Sequence, residues 1–111
     1  MVTPISVTEL VALLAEQPVL LVEALSADFH ATGHLPDAVS VPLSSTDSEV
    51  ASWLSEHDGT VVVYGSRDGG EAIELADRMI LLSGVERDVR VLEGGKEAWV
   101  ESGHSLTVAD D

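Results

Sequence analysis

The 111-residue chain is predicted to fold as an α/β domain with a mainly parallel central sheet and helices on both faces. Two observations predict it. Short apolar runs of strand composition alternate with amphipathic helical stretches along the whole chain. The runs Val19–Val22 and Val61–Tyr64 are continuously apolar instead of alternating, as strands covered on both faces are. The length suits one compact unit and leaves too little for a second core. Residues 1–108 are therefore expected to form a single domain, followed by a mobile acidic tail at 109–111.

Taken in order, residues 6–16 form the first expected helix: Ser6 and Glu9 have capping-box spacing, and Leu10, Leu13 and Leu14 share an apolar stripe. Pro18 ends it, and Val19-Leu20-Leu21-Val22 follows as a strand. Residues 27–32 suit a single helical turn, Gly33 to Asp37 a turn, and Val39-Ser40-Val41 a short strand ended by Pro42. Thr46 and Glu49 repeat the capping spacing ahead of a helix over 47–56, whose Val50, Trp53 and Leu54 share a face. Asp58-Gly59 turns into the clearest strand, Val61 to Tyr64. A polar loop, Gly65 to Gly70, leads to the longest helix, about 71–83, with Ile73, Ala76, Ile80 and Leu81 expected inward and Gly84 ending it. Val89 to Leu92 is the last strand. Gly94-Gly95 then opens a helix carrying Ala98, Trp99 and Val100, closed near Gly103.

Composition narrows the function. Hydrophobic residues make up 45% of the chain but aromatics only 4%, so the core is expected to be small and aliphatic, with Trp53, Trp99, Phe29 and Tyr64 as its few large pieces. Twenty acidic residues against five basic ones give a formal net charge of −15. Such a surface repels nucleic acid and anionic membranes, which are bound through Lys/Arg clusters. Adaptation to high salt and a lysine-poor genome explain the acidity equally well, and both readings stay open. No apolar run is long enough to span a bilayer and no leader pattern opens the chain, so a cytoplasmic location is expected. There is no cysteine, which removes disulfides, thiolate metal sites and thiolate nucleophiles from consideration.

In an open parallel sheet, ligands sit beyond the carboxyl ends of the strands, which directs attention to the loop after Tyr64. A strand, a tight glycine-containing loop and a long helix together make an anion cradle. Backbone N–H groups of Gly65, Ser66, Arg67, Asp68, Gly69 and Gly70 can converge on one point, and the helix N-terminus adds partial positive charge. The same arrangement occurs in many α/β proteins with no ligand, so both readings stand at this stage. The loop lacks the Gly-Lys-Ser/Thr ending of a nucleotide-binding P-loop.

At this point the chain resembles the rhodanese-like family over nearly its whole length. Four segments carry the resemblance, in the family's order. Ile5-Ser6 with Glu9-Leu10 and Leu13-Leu14 resembles the opening helix. Val19 to Val22, Asp28-Phe29 and the turn Gly33-His34-Leu35-Pro36-Asp37-Ala38-Val39 form the second segment. Val61 to Tyr64 resembles the strand leading into the catalytic loop, and Val91-Leu92-Glu93-Gly94-Gly95 with Ala98-Trp99 and Gly103 resembles the closing signature. The resemblance implies a rhodanese-like sheet of about five strands. It also implies that active relatives carry, immediately after the tyrosine, a cysteine that accepts a sulfane sulfur and passes it on as a persulfide. That chemistry needs a thiolate. The matching position is Gly65, which offers no side-chain atom.

Other departures from the family pattern accompany it. Glu23 and Leu25 stand where relatives carry an Asp and an Arg, so a structural ion pair is expected to be missing. Arg67 is the single cation of the loop, and Asp37 replaces a turn glycine, a position Asp tolerates. Ser66 is considered as a substitute nucleophile, but a hydroxyl needs an adjacent base and forms no persulfide; a hydrogen bond to backbone is the expected role. His30 and His34 have i,i+4 spacing without a third ligand, so no metal site is expected and His34 is read as a structural turn histidine. Glu71, Glu74 and Asp77 suit a helix N-terminus and a solvated face, and Trp99 suits core packing.

The expected function is that of a non-catalytic binding or regulatory module. It needs no cofactor, and its partner is a small anion at Gly65–Gly70 or another protein. The competing expectation is a sulfurtransferase or phosphatase-like enzyme with an unrecognised nucleophile. Oligomeric state is open.

Overall fold

The computed structural model describes residues 2–83 and 87–108. The expected helix end at Gly84 and the expected tail at 109–111 lie outside the described residues.

Ten elements follow one another: β1 (Thr3–Ile5), α1 (Val7–Glu16), β2 (Val19–Glu23), α2 (Ala27–Thr32), β3 (Val39–Ser40), α3 (Asp47–Glu56), β4 (Thr60–Tyr64), α4 (Gly70–Ser83), β5 (Val89–Leu92) and α5 (Gly95–Glu101). The strands form one five-stranded sheet in the order β1-β5-β4-β2-β3, and every pairing within it is parallel. β4 is central and buried along its whole length.

Side chains of β4 alternate between two cores. Val61 and Val63 pack with Val50, Leu54, Leu75 and Met79 of α3 and α4. Val62 and Tyr64 pack on the other face with Leu10 of α1, Leu35 and Trp99 of α5. The sheet is thus covered on both faces, which explains why its inner strands read as unbroken apolar runs.

Both sequence-legible capping boxes form. Ser6 and Glu9 exchange hydrogen bonds at 3.1 and 2.9 Å, and Thr46 and Glu49 do so at 3.1 and 2.8 Å. These bonds hold the Glu9 and Glu49 carboxyls below the usual carboxylate range.

The structure corrects four expectations. Residues 3–5, where the sequence predicts no strand and only Ile5 is grouped with the opening helix by the family resemblance, form the edge strand β1, with Ile5 buried and paired to Leu92. Three residues containing Pro4 show no alternation, and a proline is tolerated at an edge. Helix α4 turns inward a stripe that only partly overlaps the expected one. Ala76 is buried and Ile80 packs partly buried against the core as expected, but Ala72, Leu75 and Met79 complete the buried face, whereas Ile73 and Leu81 are exposed. Apolar residues occupy both stripes of this helix, so periodicity alone does not choose the phase. Phe29 is not core but 59% exposed, because α2 has only six residues and buries none of them. Gly70 belongs to α4 and not to the loop.

Candidate functional site

The loop from Gly65 to Gly69 leaves the carboxyl end of the central strand. Its base is fixed by a buried polar network. The Tyr64 hydroxyl donates to Glu23 Oε1 at 2.8 Å and accepts from the Leu35 N–H at 3.1 Å. Lys96 Nζ donates to Glu23 Oε2 at 3.1 Å and to the Phe29 carbonyl at 3.1 Å. Glu23 is fully buried, and the Lys96 side chain is 15% exposed. The expectation of a missing ion pair is therefore corrected: Glu23 keeps its charge partner, supplied by α5 and not by position 25. Their separation of 73 positions in the chain hides the pair from local sequence patterns. Burial, with the Glu23 carboxylate beside it, pushes the Tyr64 phenol well above its usual value. A phenol whose pKa is raised by folding stabilises the protein below the unfolded value of about 10 and loses that contribution as pH rises further. The expected result is an alkaline unfolding limb beginning near that pH, with no phenolate absorbance before the transition; phenolate forming in the folded chain would contradict it.

The turn before α5 presses directly on the loop. The Lys96 N–H donates to the Gly65 carbonyl at 2.9 Å. Gly95 adopts φ +61°, and a Cβ built there would stand 2.4 Å from the carbonyl oxygens of both Gly65 and Ser66. Glycine is required there, both for the left-handed backbone and for the approach.

Within the loop, the chain supplies its own anions. The Gly69 N–H closes a turn on the Ser66 carbonyl at 3.0 Å, and the Gly70 N–H donates to Asp68 Oδ1 at 3.2 Å. The Ser66 hydroxyl lies 3.0 Å from Asp68 Oδ1 and 3.2 Å from Glu71 Oε1, so its one proton is shared between two carboxylates. This corrects the expected backbone bond for Ser66. It also takes Glu71 out of the solvated face, while Glu74 and Asp77 stay exposed. Arg67 turns outward into a two-pronged ion pair with Glu101, which raises the guanidinium pKa and lowers that of the carboxyl. The single cation of the loop is thereby neutralised.

Gly65 has an ordinary backbone conformation. A Cβ there would meet Ala72 and Glu71 at 3.5–3.8 Å, normal contact distances. A Cβ is accommodated there, and glycine leaves the position to bare backbone.

His30 and His34 stack at 3.8 Å between ring centroids. His34 Nδ1 lies 2.9 Å from the His30 carbonyl and His30 Nε2 lies 2.9 Å from the Ala38 carbonyl, so both nitrogens donate. The pair fastens α2 to the following turn, the structural role expected of His34. Among the described residues, no three metal-ligating side chains converge. Asp37 takes φ +66° in that turn, as its residue type allows. Trp99 is buried, with its indole N–H donating to the Ser105 carbonyl at 2.9 Å. Among the described residues, no helix is long and apolar enough to cross a membrane.

The model of the rhodanese-like domain matches residues 6–102, nearly the whole chain. The chain belongs to the rhodanese-like family. Solved structures agree in fold. An As-Sb reductase from Leishmania major superposes with a TM-score of 0.82 at 22% identity, over 100% of this chain and 88% of the reductase. A rhodanese-like domain from Anabaena sp. gives 0.79 at 19% identity, over 100% of this chain and 89% of that domain. A thiosulfate sulfurtransferase from Pseudomonas aeruginosa gives 0.75 at 22% identity, over 98% of this chain but only 21% of the larger protein. Identities this low establish the rhodanese-like architecture alone. Among proteins with curated descriptions, none matches the chain in sequence.

Within the rhodanese-like frame, two features of this site lay beyond the sequence: the Glu23–Lys96 pair and the hollows on either side of Phe29. Residues that line those hollows come from helices α2, α4 and α5 and from the loops around them.

Proposed function

We propose that this rhodanese-like domain is non-catalytic and acts as a binding or regulatory module. The observation that carries this reading is Gly65, which places bare backbone where the family resemblance puts the sulfur-accepting thiol, in a chain without cysteine. The surroundings support it. Ser66 shares its hydroxyl proton between two carboxylates and has no imidazole bonded to it, which is not the environment of an activated nucleophile. An anion entering the loop would compete with the Asp68 carboxylate for the Gly70 amide and meet Glu71, with Arg67 already held by Glu101. Anion binding at Gly65–Gly70 is therefore weak on this reading, and a protein segment is the favoured partner.

Thiosulfate and cyanide incubated with the purified chain are expected to yield thiocyanate only at the level of a boiled control. Enzymatic turnover above that control would favour the alternative reading, a sulfurtransferase acting through an unrecognised nucleophile.

A further inference from the structure

The hollows beside the loop carry a feature that sulfur chemistry does not explain. Phe29 stands between two of them and is 59% exposed. One hollow, about 290 Å³, is lined by Leu25, Phe29, Pro42, Leu43 and Glu71. The other, about 220 Å³, is lined by Leu25, Phe29, Ser66, Leu106, Glu97 and Lys96, whose ammonium is held by the buried Glu23. Each thus combines an aromatic and aliphatic wall with a carboxylate. Among the described residues, neither Glu71 nor Glu97 forms an ion pair.

We infer that this face docks an extended segment of a partner protein in which an arginine is flanked by apolar side chains, the guanidinium reaching Glu71 across the face of Phe29. The inference rests on the reading of the domain as a binding module and names the chemistry of its partner.

Charge complementarity selects the occupant. At a net charge of −15 the chain attracts cationic segments at long range and repels anionic ones. Arginine fits both features of the hollow, because its planar fork pairs with a carboxylate and its face stacks on an aromatic ring. Apolar neighbours fill the space against Leu25 and Leu43, supplying the desolvated anchor that a peptide site needs.

A second copy of this chain is a poor occupant, since among the described residues every Lys and Arg side chain is already engaged. Arg67, Arg78, Arg90 and Lys96 are each paired with a carboxylate. Arg87 is bound to the carbonyls of Leu54 and His57 at 3.3 and 2.5 Å.

The test uses three fluorescent peptides in one Gly/Ser frame, with Leu-Arg-Leu, Leu-Glu-Leu or Ser-Arg-Ser at the centre. They are titrated by anisotropy into the full chain at low and physiological salt. The Leu-Arg-Leu peptide is expected to bind, to weaken with salt, and to lose about tenfold in affinity to each of the variants Phe29→Ala and Glu71→Gln. The remote variant Glu16→Gln is expected to bind as the wild type does. Circular dichroism establishes that each variant is folded, and chemical-shift changes at residues 25, 29 and 71 locate the peptide. Equal binding of Ser-Arg-Ser, or equal loss in Glu16→Gln, would reduce the effect to a diffuse acidic surface and overturn the proposal. So would binding of Leu-Glu-Leu, or no binding by Leu-Arg-Leu. None of these outcomes alters the thiocyanate assay, so failure of the docking site and failure of the non-catalytic reading are separable.

Discussion

Replacing Glu23 by alanine is expected to destabilise the fold by about 3–5 kcal/mol, the range found when one partner of a buried ion pair is removed. Domains of this size are stable by only about 5–15 kcal/mol, so the variant stands near the limit of folding. Three donors and acceptors depend on this carboxylate. The Tyr64 hydroxyl loses its acceptor, the Lys96 ammonium loses its counter-charge, and the Leu35 amide stays tied to a phenol no longer held in place. Glu23→Gln keeps an acceptor for Tyr64 and is expected to cost less. Lys96→Met strands a fully buried carboxylate, and the double variant Glu23→Gln/Lys96→Met is expected to recover part of that loss. Urea unfolding of the wild type and the four variants measures these differences. Independent, additive effects would show that the two side chains are not coupled.

Gly95→Ala is expected to cost a comparable amount, about 3–5 kcal/mol, in the upper range for single substitutions. The left-handed backbone penalises any Cβ by about 1–2 kcal/mol. The remainder comes from two carbonyl oxygens 2.4 Å from the new methyl, both belonging to the loop backbone, which cannot swing aside as a flexible side chain does. Gly103→Ala provides the comparison, since Gly103 has φ +91° and nothing within 4 Å of its Cβ position. Its cost is expected to stay near the conformational penalty alone. Similar losses for the two variants would mean that the contact between the α5 turn and the loop is unimportant.

What the sequence revealed and what it hid follow from the range of the forces involved. The capping boxes at Ser6/Glu9 and Thr46/Glu49 are contained within four residues, so their spacing is enough to read them. The two-faced burial of β4 is written in its own composition, because both faces of a central parallel strand are apolar. The phase of α4 is not, since Ile73 and Leu81 are as apolar as Leu75 and Met79, and only α3 and the sheet decide which side packs. Strand β1 escapes notice because its pairing with β5 is 87 residues away in the chain, from Thr3 to Arg90. At the site, the loop position and the empty place at Gly65 are legible. The Glu23–Lys96 pair, the engagement of Arg67 by Glu101 and the sharing of Ser66 between Asp68 and Glu71 are tertiary outcomes.

The Ser66, Asp68 and Glu71 contacts bear on how the loop behaves if a thiol is restored. Gly65→Cys places its Cβ at ordinary contact distances from Glu71 and Ala72 at the start of α4. Helix N-termini favour a thiolate, whereas a neighbouring carboxylate opposes one. Such a variant therefore supplies a thiol whose reaction with an anionic donor is expected to be slowed and not abolished.

Intact-mass spectrometry of the wild-type chain after incubation with inorganic polysulfide, beside Gly65→Cys under the same conditions, tests the absence of a sulfur acceptor most directly. The expected outcome is an unchanged wild-type mass and one added sulfur atom on the cysteine variant, reversed by a reducing thiol. A wild-type chain that gains a sulfur atom, and releases it to the same thiol, would contradict the account.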